Sequence, residues 1–336
     1  MLKPYLARVT AREDLSVQEA RVAIEIIMRG DASPEQISGF LIALRMKGET
    51  VDEITGCAEA MRAAANRVKL GPEPLLDTCG TGGDGANTFN VSTVAAFVAA
   101  GAGARVAKHG NRSVSSSCGS ADVLEYLGVT LTSDPLILRR SLDEAGLAFL
   151  FAPNQHPAMK HAVGPRRELG LRTVFNVLGP LTNPAGASRQ LVGVYDGRLV
   201  EQLANVLGKL GAERALVVHG AGGLDEISLL GSTDMAEWDG SGIRQQRISP
   251  EDLGFEVVES EAIRGGGVAQ SAALLRSILG GESGPATDIV LLNAGAALYV
   301  GGLADSIAMG IERARASITS GAAARSLTIL VEVTSS

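Results

Sequence analysis

Beyond residue 75 short apolar runs alternate with longer stretches of helical character, and this alternation constrains the fold more than any other feature of the sequence. The runs 75–77, 105–108, 191–195, 215–219 and 289–292 read as strands. The stretches 92–100, 121–127, 135–145, 199–210 and 294–299 read as helices. The third of these has matched start and stop signals. Asp134 offers an acidic N-cap, Pro135 stands at the first helical position, and Gly146 follows the end. Strands alternating with helices predict an α/β domain over 75–336 with a largely parallel central sheet.

Residues 1–70 have a different texture. Capping boxes pair Ser16 with Glu19, Ser33 with Gln36 and Thr50 with Glu53. Pro34 sits where its missing N–H costs nothing. Ile37, Phe40, Leu41 and Leu44 then recur on one helical face. The pattern predicts a small helical N-terminal domain that packs against something, a partner subunit included. GPEP at 71–74 reads as the break between the two parts.

Charge and cysteine usage narrow the functional classes. A net charge of -7 argues against a sequence-independent grip on nucleic acid. Cys57, Cys79 and Cys118 show no C-x-x-C spacing, so neither a zinc site nor a disulfide framework is expected, and a cytoplasmic location fits. The first residues are charged throughout and lack the apolar core of a signal peptide. The uncharged run 85–104 carries Asn87, Asn90 and Ser92, so it reads as a loop and a buried helix; no membrane association is expected.

Residues 77–93 read DTCGTGGDGANTFNVST, and Gly80, Gly82 and Gly85 match G-x-G-x-x-G. A dinucleotide site demands a helix opening at the third glycine and an acidic residue about twenty positions on. Here ANTFN intervenes, and 86–121 holds no Asp or Glu but does hold Arg105, Lys108, His109 and Arg112. The Walker pattern fails as well, because no Gly-Lys-Ser/Thr follows. A phosphate cradle remains, with backbone N–H groups and a helix N-terminus facing an anion. A glycine-rich turn with a Ser/Thr cap is the equal alternative on this segment alone. KHGNRSVSSSCGS at 108–120 adds two cations, an amide and several hydroxyls after a second strand. Two such loops point to one site for a ligand with several phosphates. In HGAGGLDEIS at 219–228, Asp225 and Glu226 stand side by side. They suit Mg²⁺, or equally the acidic first turn of a helix. His219 reads as a packed strand-end histidine.

With FAPNQHPAMKHAVGPRRELGLRTVFNVLGPLTNPA and NAGAALYV, these motifs follow an order and spacing that resemble the anthranilate phosphoribosyltransferases. These are tryptophan-pathway members of the nucleoside-phosphorylase-like phosphoribosyltransferases, and the resemblance extends over essentially the whole chain. It implies a homodimer formed through the helical part. It also implies transfer of the 5-phosphoribosyl group of phosphoribosyl pyrophosphate to anthranilate, with Mg²⁺ as cofactor. Residue by residue, it places Gly80, Gly83, Asp84 and Thr88 around the phosphoribosyl donor, with Asn90, Val91, Ser92 and Thr93 beside them. Ser92, Asp225 and Glu226 would hold Mg²⁺. Lys108, His109, Gly110, Asn111, Arg112, Ser113, Val114, Ser115 and Ser116 would wrap the substrates, Asn111 facing anthranilate. Ser120 would touch the donor, and Arg166, in a helical turn after Pro165, would meet the aromatic acid. Ser117 stands where the family commonly has a longer polar side chain, and Ser232 where GLDE is usually followed by Gly-Pro-Thr; neither is an implied ligand.

The chemistry suits these residues. An aryl amine is neutral at pH 7, so the demand is for electrostatic stabilisation and positioning more than for a base. No Ser-His-Asp set is evident. A transferase or phosphorylase acting on a nucleobase or nucleoside, or a non-enzymatic nucleic-acid-binding relative, are the alternatives. Arg166 favours a carboxylate-bearing acceptor over the first, and the paired acids and negative charge oppose the second.

Overall fold

A computed structural model describes residues 1–71, 74–113 and 118–335. Pro72 and Glu73 of the expected break, and Val114, Ser115, Ser116 and Ser117 of the expected substrate segment, lie outside the described residues.

Four helices open the chain, α1 (Lys3–Thr10), α2 (Val17–Arg29), α3 (Pro34–Lys47) and α4 (Val51–Ala64). The capping boxes at Ser16, Ser33 and Thr50 form as read, each with a reciprocal Glu or Gln. Helix α1 escapes the sequence reading because its N-cap, Leu2, makes no side-chain cap.

The α/β part follows as β1 (Leu76–Gly80), α5 (Val91–Gly101), β2 (Val106–Gly110), α6 (Ser120–Tyr126), α7 (Pro135–Ala145) and β3 (Leu147–Phe151). Then come α8 (Ala152–Gln155), α9 (Lys160–Leu169), α10 (Phe175–Leu181), β4 (Arg189–Gly193), α11 (Leu199–Lys209) and β5 (Arg214–Gly220). The hairpin β6 (Thr233–Trp238) and β7 (Ile243–Ile248) and the helices α12 (Val268–Leu279), α13 (Pro285–Val300), α14 (Ile307–Thr319) and α15 (Ala322–Ser335) complete it.

Among the described residues the strands form one seven-stranded sheet, ordered β3-β2-β1-β4-β5-β6-β7. Pairing is parallel from β3 through β5 and antiparallel at β5-β6-β7. The chain steps outward from β1 to β3, then returns to the far side of β1 as β4. That reversal leaves a crevice at the carboxyl ends of β1 and β4, where open α/β sheets bind ligands.

Alternation along the strands divides the core. Leu76, Val106, Leu191, Leu216 and Val218 face α5 and the C-terminal helices. Cys79, Val192, Val217 and Ala236 face the other way and share one cluster with Ile24, Ile27, Phe40, Leu41 and Ile54 of the N-terminal helices. The helical part is therefore packed onto one face of the sheet. Among the described residues no helix is long and apolar enough to cross a membrane.

Three expectations need correction. Residues 289–292 are not a strand, and 294–299 are not a separate helix; both belong to α13. Every residue from Ile289 to Val300 is buried, so α13 shows no polar face and hence no 3.6-residue period. An apolar run of that kind reads equally as a strand. In addition, Pro165 lies inside α9 rather than before a helical turn.

Candidate functional site

The glycine loop leaves β1 at Gly80 and reaches α5 at Val91, with Asn90 as N-cap. Gly82, Gly83 and Gly85 take positive φ (66°, 72° and 76°), which a side chain would resist. The loop is stitched to its neighbours across the crevice. Thr81 N–H donates to Gly193 O at 3.0 Å, and Tyr195 N–H donates to Thr81 Oγ1 at 3.1 Å. At its far end Thr88 forms an antiparallel bridge with Arg264. Val91 and Thr93 are buried, so Val91 offers only its backbone to a ligand. Asn90 Oδ1 and Thr93 Oγ1 are buried without a hydrogen-bond partner.

The acids enter from the loop after β5. Asp225 Oδ2 accepts from Gly82 N–H at 2.7 Å, and Glu226 Oε1 accepts from Ser92 N–H at 3.1 Å. Both carboxylates thus face the backbone donors of the glycine loop and the start of α5. They come this close because the strand ends are bare. A Cβ on Gly80 would stand 2.3 Å from Asp225 Oδ2, and one on Gly193 would stand 1.5 Å from Asp225 O.

Burial first, then the neighbouring Asp84 carboxylate, pushes Asp225 up to about 6. Burial and Asp225 push Glu226 well above the ordinary carboxylate range. Crowded, buried like charges of oxygen donors fit a hard cation. Among the described residues no group of three or more His, Cys, Asp or Glu side chains forms a metal cage. A pair of carboxylates suffices for Mg²⁺, which keeps waters and takes substrate phosphate oxygens as its other ligands.

Lys108 lies inside β2 rather than at its end, and is buried. Its Nζ donates to Thr78 O and, at 3.3 Å, to Ser92 Oγ. Burial lowers its pKa, against the opposing fields of Asp77 and the site acids. Ser92 therefore touches both Glu226 and Lys108, through its N–H and its hydroxyl. Asp77, buried on the other face, accepts from His109 N–H at 3.1 Å and from Asn183 Nδ2 at 2.8 Å, bracing β2 against the segment after α10.

The rest of the 108–120 segment divides. The His109 ring turns away from the glycine loop, with Nδ1 3.2 Å from Gly179 O and the His156 ring centroid 5.1 Å off. Gly110 and Asn111 carry the chain out of β2, and Ser120 Oγ donates back to Asn111 O at 3.2 Å. Arg112 is committed to Asp122 at 3.0 Å and Glu125 at 2.5 Å. Ser113 N–H donates to Asp122 Oδ2 at 3.1 Å. Arg166, on α9, lies with its Cζ 5.3 Å from the Phe175 ring centroid, and no carboxylate pairs with it among the described residues. Arg167 is exposed beside Glu168 at 3.6 Å.

Gly193, Tyr195, Arg172 and Asn183 were not singled out from sequence. Each acts through a segment distant in the chain. The one local signal was a cation, Arg172, standing just beyond the Gly170 helix stop.

The chain is similar to known proteins over nearly its whole length. Residues 72–324 match the family described as "Glycosyl transferase family, a/b domain", and residues 3–65 match "Glycosyl transferase family, helical bundle domain". The anthranilate phosphoribosyltransferase of Thioalkalivibrio sulfidiphilus is 56% identical over 100% of this chain and 99% of its own. That of Moorella thermoacetica is 54% identical over 98% of each. Among solved structures, the Thermus thermophilus enzyme superposes with a TM-score of 0.93 at 44% identity, covering 98% of this chain and 99% of that one. The Saccharomyces cerevisiae enzyme, in complex with PRPP and Mg, gives 0.91 at 30% identity over 99% and 98%.

Proposed function

The chain belongs to the anthranilate phosphoribosyltransferase family, and from that premise we propose how its residues carry the reaction. It transfers the 5-phosphoribosyl group of phosphoribosyl pyrophosphate to the amine of anthranilate, yielding N-(5-phosphoribosyl)anthranilate and pyrophosphate in tryptophan biosynthesis. A nucleobase acceptor and a nucleic-acid-binding role are not favoured.

The observation that supports the site assignment best is the convergence of the glycine loop, Lys108 and the acid pair on the crevice between β1 and β4. The loop from Gly80 to Thr88 and the start of α5 hold the donor. Backbone N–H groups there bind its phosphate oxygens. Asp225, Glu226 and Ser92 hold Mg²⁺, which when bound offsets the charge gathering on the leaving pyrophosphate. Lys108 keeps the α5 start and β1 in register beneath the donor. Arg166 reads the acceptor's carboxylate as a planar fork over Phe175, with Asn111 beside it.

The neutral amine forms a bond to ribose C1 as the C1–oxygen bond breaks toward pyrophosphate. The nitrogen then sheds its proton. Positive charge on the sugar and negative charge on the leaving group develop together, so electrostatic stabilisation and positioning, rather than a base, supply the acceleration. The helical part carries the contact of a homodimer. Three buried, unbridged cysteines support a cytoplasmic setting.

The test is an acceptor competition. Purified protein with phosphoribosyl pyrophosphate and Mg²⁺ should deplete anthranilate fluorescence and leave an equimolar nucleobase untouched. Consumption of the nucleobase alone would sink the reading.

A further inference from the structure

Arg172 stands between the αL stop of α9 at Gly170 and the start of α10. Its guanidinium lies 4.1 Å from the Tyr195 ring centroid and donates to Gly83 O in the glycine loop. No carboxylate pairs with it among the described residues. The Arg172 backbone and its Tyr195 platform are both anchored. Arg45, at the end of α3, donates to Arg172 O, and Thr173 N–H donates to Asn176 Oδ1 at 2.9 Å. Tyr195 is tied through its own N–H to Thr81 Oγ1 at 3.1 Å.

Gly83 needs such a contact. It sits between two other positive-φ glycines, Gly82 and Gly85, in a stretch with little intrinsic preference for one conformation. A carbonyl fixed by a charged donor turns the neighbouring peptide planes, and so sets where their N–H groups point.

We propose that Arg172, stacked on Tyr195, is a positioning residue that fixes the glycine loop for the phosphoribosyl donor. The inference rests on the assignment of that loop to the donor. A planar guanidinium suits the task, since it stacks on an aromatic face while still donating from its edge. A lysine could reach the carbonyl but would lose the platform. Through Arg45 the helical part helps hold the same contact, so donor affinity depends on how the two parts of the chain pack.

The experiment measures KM for each substrate and kcat, and separately the affinity for phosphoribosyl pyrophosphate with Mg²⁺ by calorimetry without anthranilate. Arg172→Ala and Tyr195→Leu should each weaken donor KM and affinity about tenfold, the loss of one charge-assisted contact. Anthranilate KM should stay within about twofold, and Tyr195→Phe should behave as the wild type. Because the ring acts through the guanidinium, the Arg172→Ala/Tyr195→Leu pair should be little worse than Arg172→Ala alone. Unchanged donor affinity in Arg172→Ala, equal rises for both substrates, or full additivity in the pair overturns the proposal. If the wild type consumed no anthranilate, the transfer reading would fail, while calorimetry would still decide the role of Arg172.

Discussion

At the scale of single residues the site depends on charges placed without their usual partners. Arg166 is half-buried over Phe175, and burial lowers its pKa. Its neighbour Arg167 is exposed and paired with Glu168. Losing a charge-assisted hydrogen bond costs about 1.5–3 kcal/mol, roughly a 10- to 150-fold loss in kcat/KM. Arg166→Ala should therefore raise anthranilate KM with little effect on the donor, and Arg167→Ala should leave both near the wild-type values in the same initial-rate assay. Equal effects would refute the assignment. The buried His109–His156 pair makes a different prediction. Burial, then His156, holds His109 down to about 3, and burial holds His156 down to about 4, both below the ordinary 6.5. Unfolding therefore takes up protons as the pH falls below 6.5. The pair's stabilising contribution is complete above pH 6.5 and is lost as the pH falls toward the folded-state values. On the order of 3 kcal/mol for each histidine should disappear by pH 4. Denaturant midpoints measured between pH 7 and 4 should fall accordingly, and His109→Gln should flatten the slope.

At the scale of elements, what was legible in the sequence was local. Capping boxes at Ser16, Ser33 and Thr50 need only residues three apart, and all three formed. The glycine loop and the acid pair were legible for the same reason, since each is a short run of unusual residues. The buried helix α13 was misread because full burial erases the period that marks a helix. Strand β7, Ile243–Ile248, is largely polar and lies at the sheet edge, so it carried no apolar signal. Gly193 looked like any strand-end glycine, because the reason for it is Asp225, which the fold brings across the end of β4. That contact gives an element-scale prediction. Gly193→Ala forces a Cβ to within 1.5 Å of Asp225 O, so the acid loop must shift. Overpacking of this sort costs about 1–3 kcal/mol, and the shifted acids should raise the Mg²⁺ concentration needed for half-maximal rate. Gly242→Ala, with nothing within 4 Å of its Cβ, is the control and should stay within about 0.5 kcal/mol. A Gly193→Ala protein with unchanged melting and unchanged Mg²⁺ dependence would contradict the geometry.

At the scale of the whole molecule, the helical part and the α/β part share one apolar cluster and are locked by polar contacts. Arg62 reaches Leu181 O at 2.7 Å and Leu210 O at 3.0 Å, and Lys209 pairs with Asp52 at 2.8 Å. Helices α2 to α4 thus bury much of their apolar face within the chain. The proposed homodimer contact would use what they leave outside, including the exposed Met46 at the end of α3. Light scattering at micromolar concentration should give twice the mass of the 34.6 kDa chain; a fully active monomer would count against the proposed assembly. The central claim is that this crevice couples loss of pyrophosphate to capture of an aromatic amine. The most direct measurement follows pyrophosphate release and anthranilate consumption together, in wild type and in Asp225→Asn/Glu226→Gln. The account predicts one pyrophosphate for each anthranilate in the wild type, and neither change in a folded double mutant. Pyrophosphate released without anthranilate consumed, or a double mutant that turns over normally at limiting Mg²⁺, would contradict it.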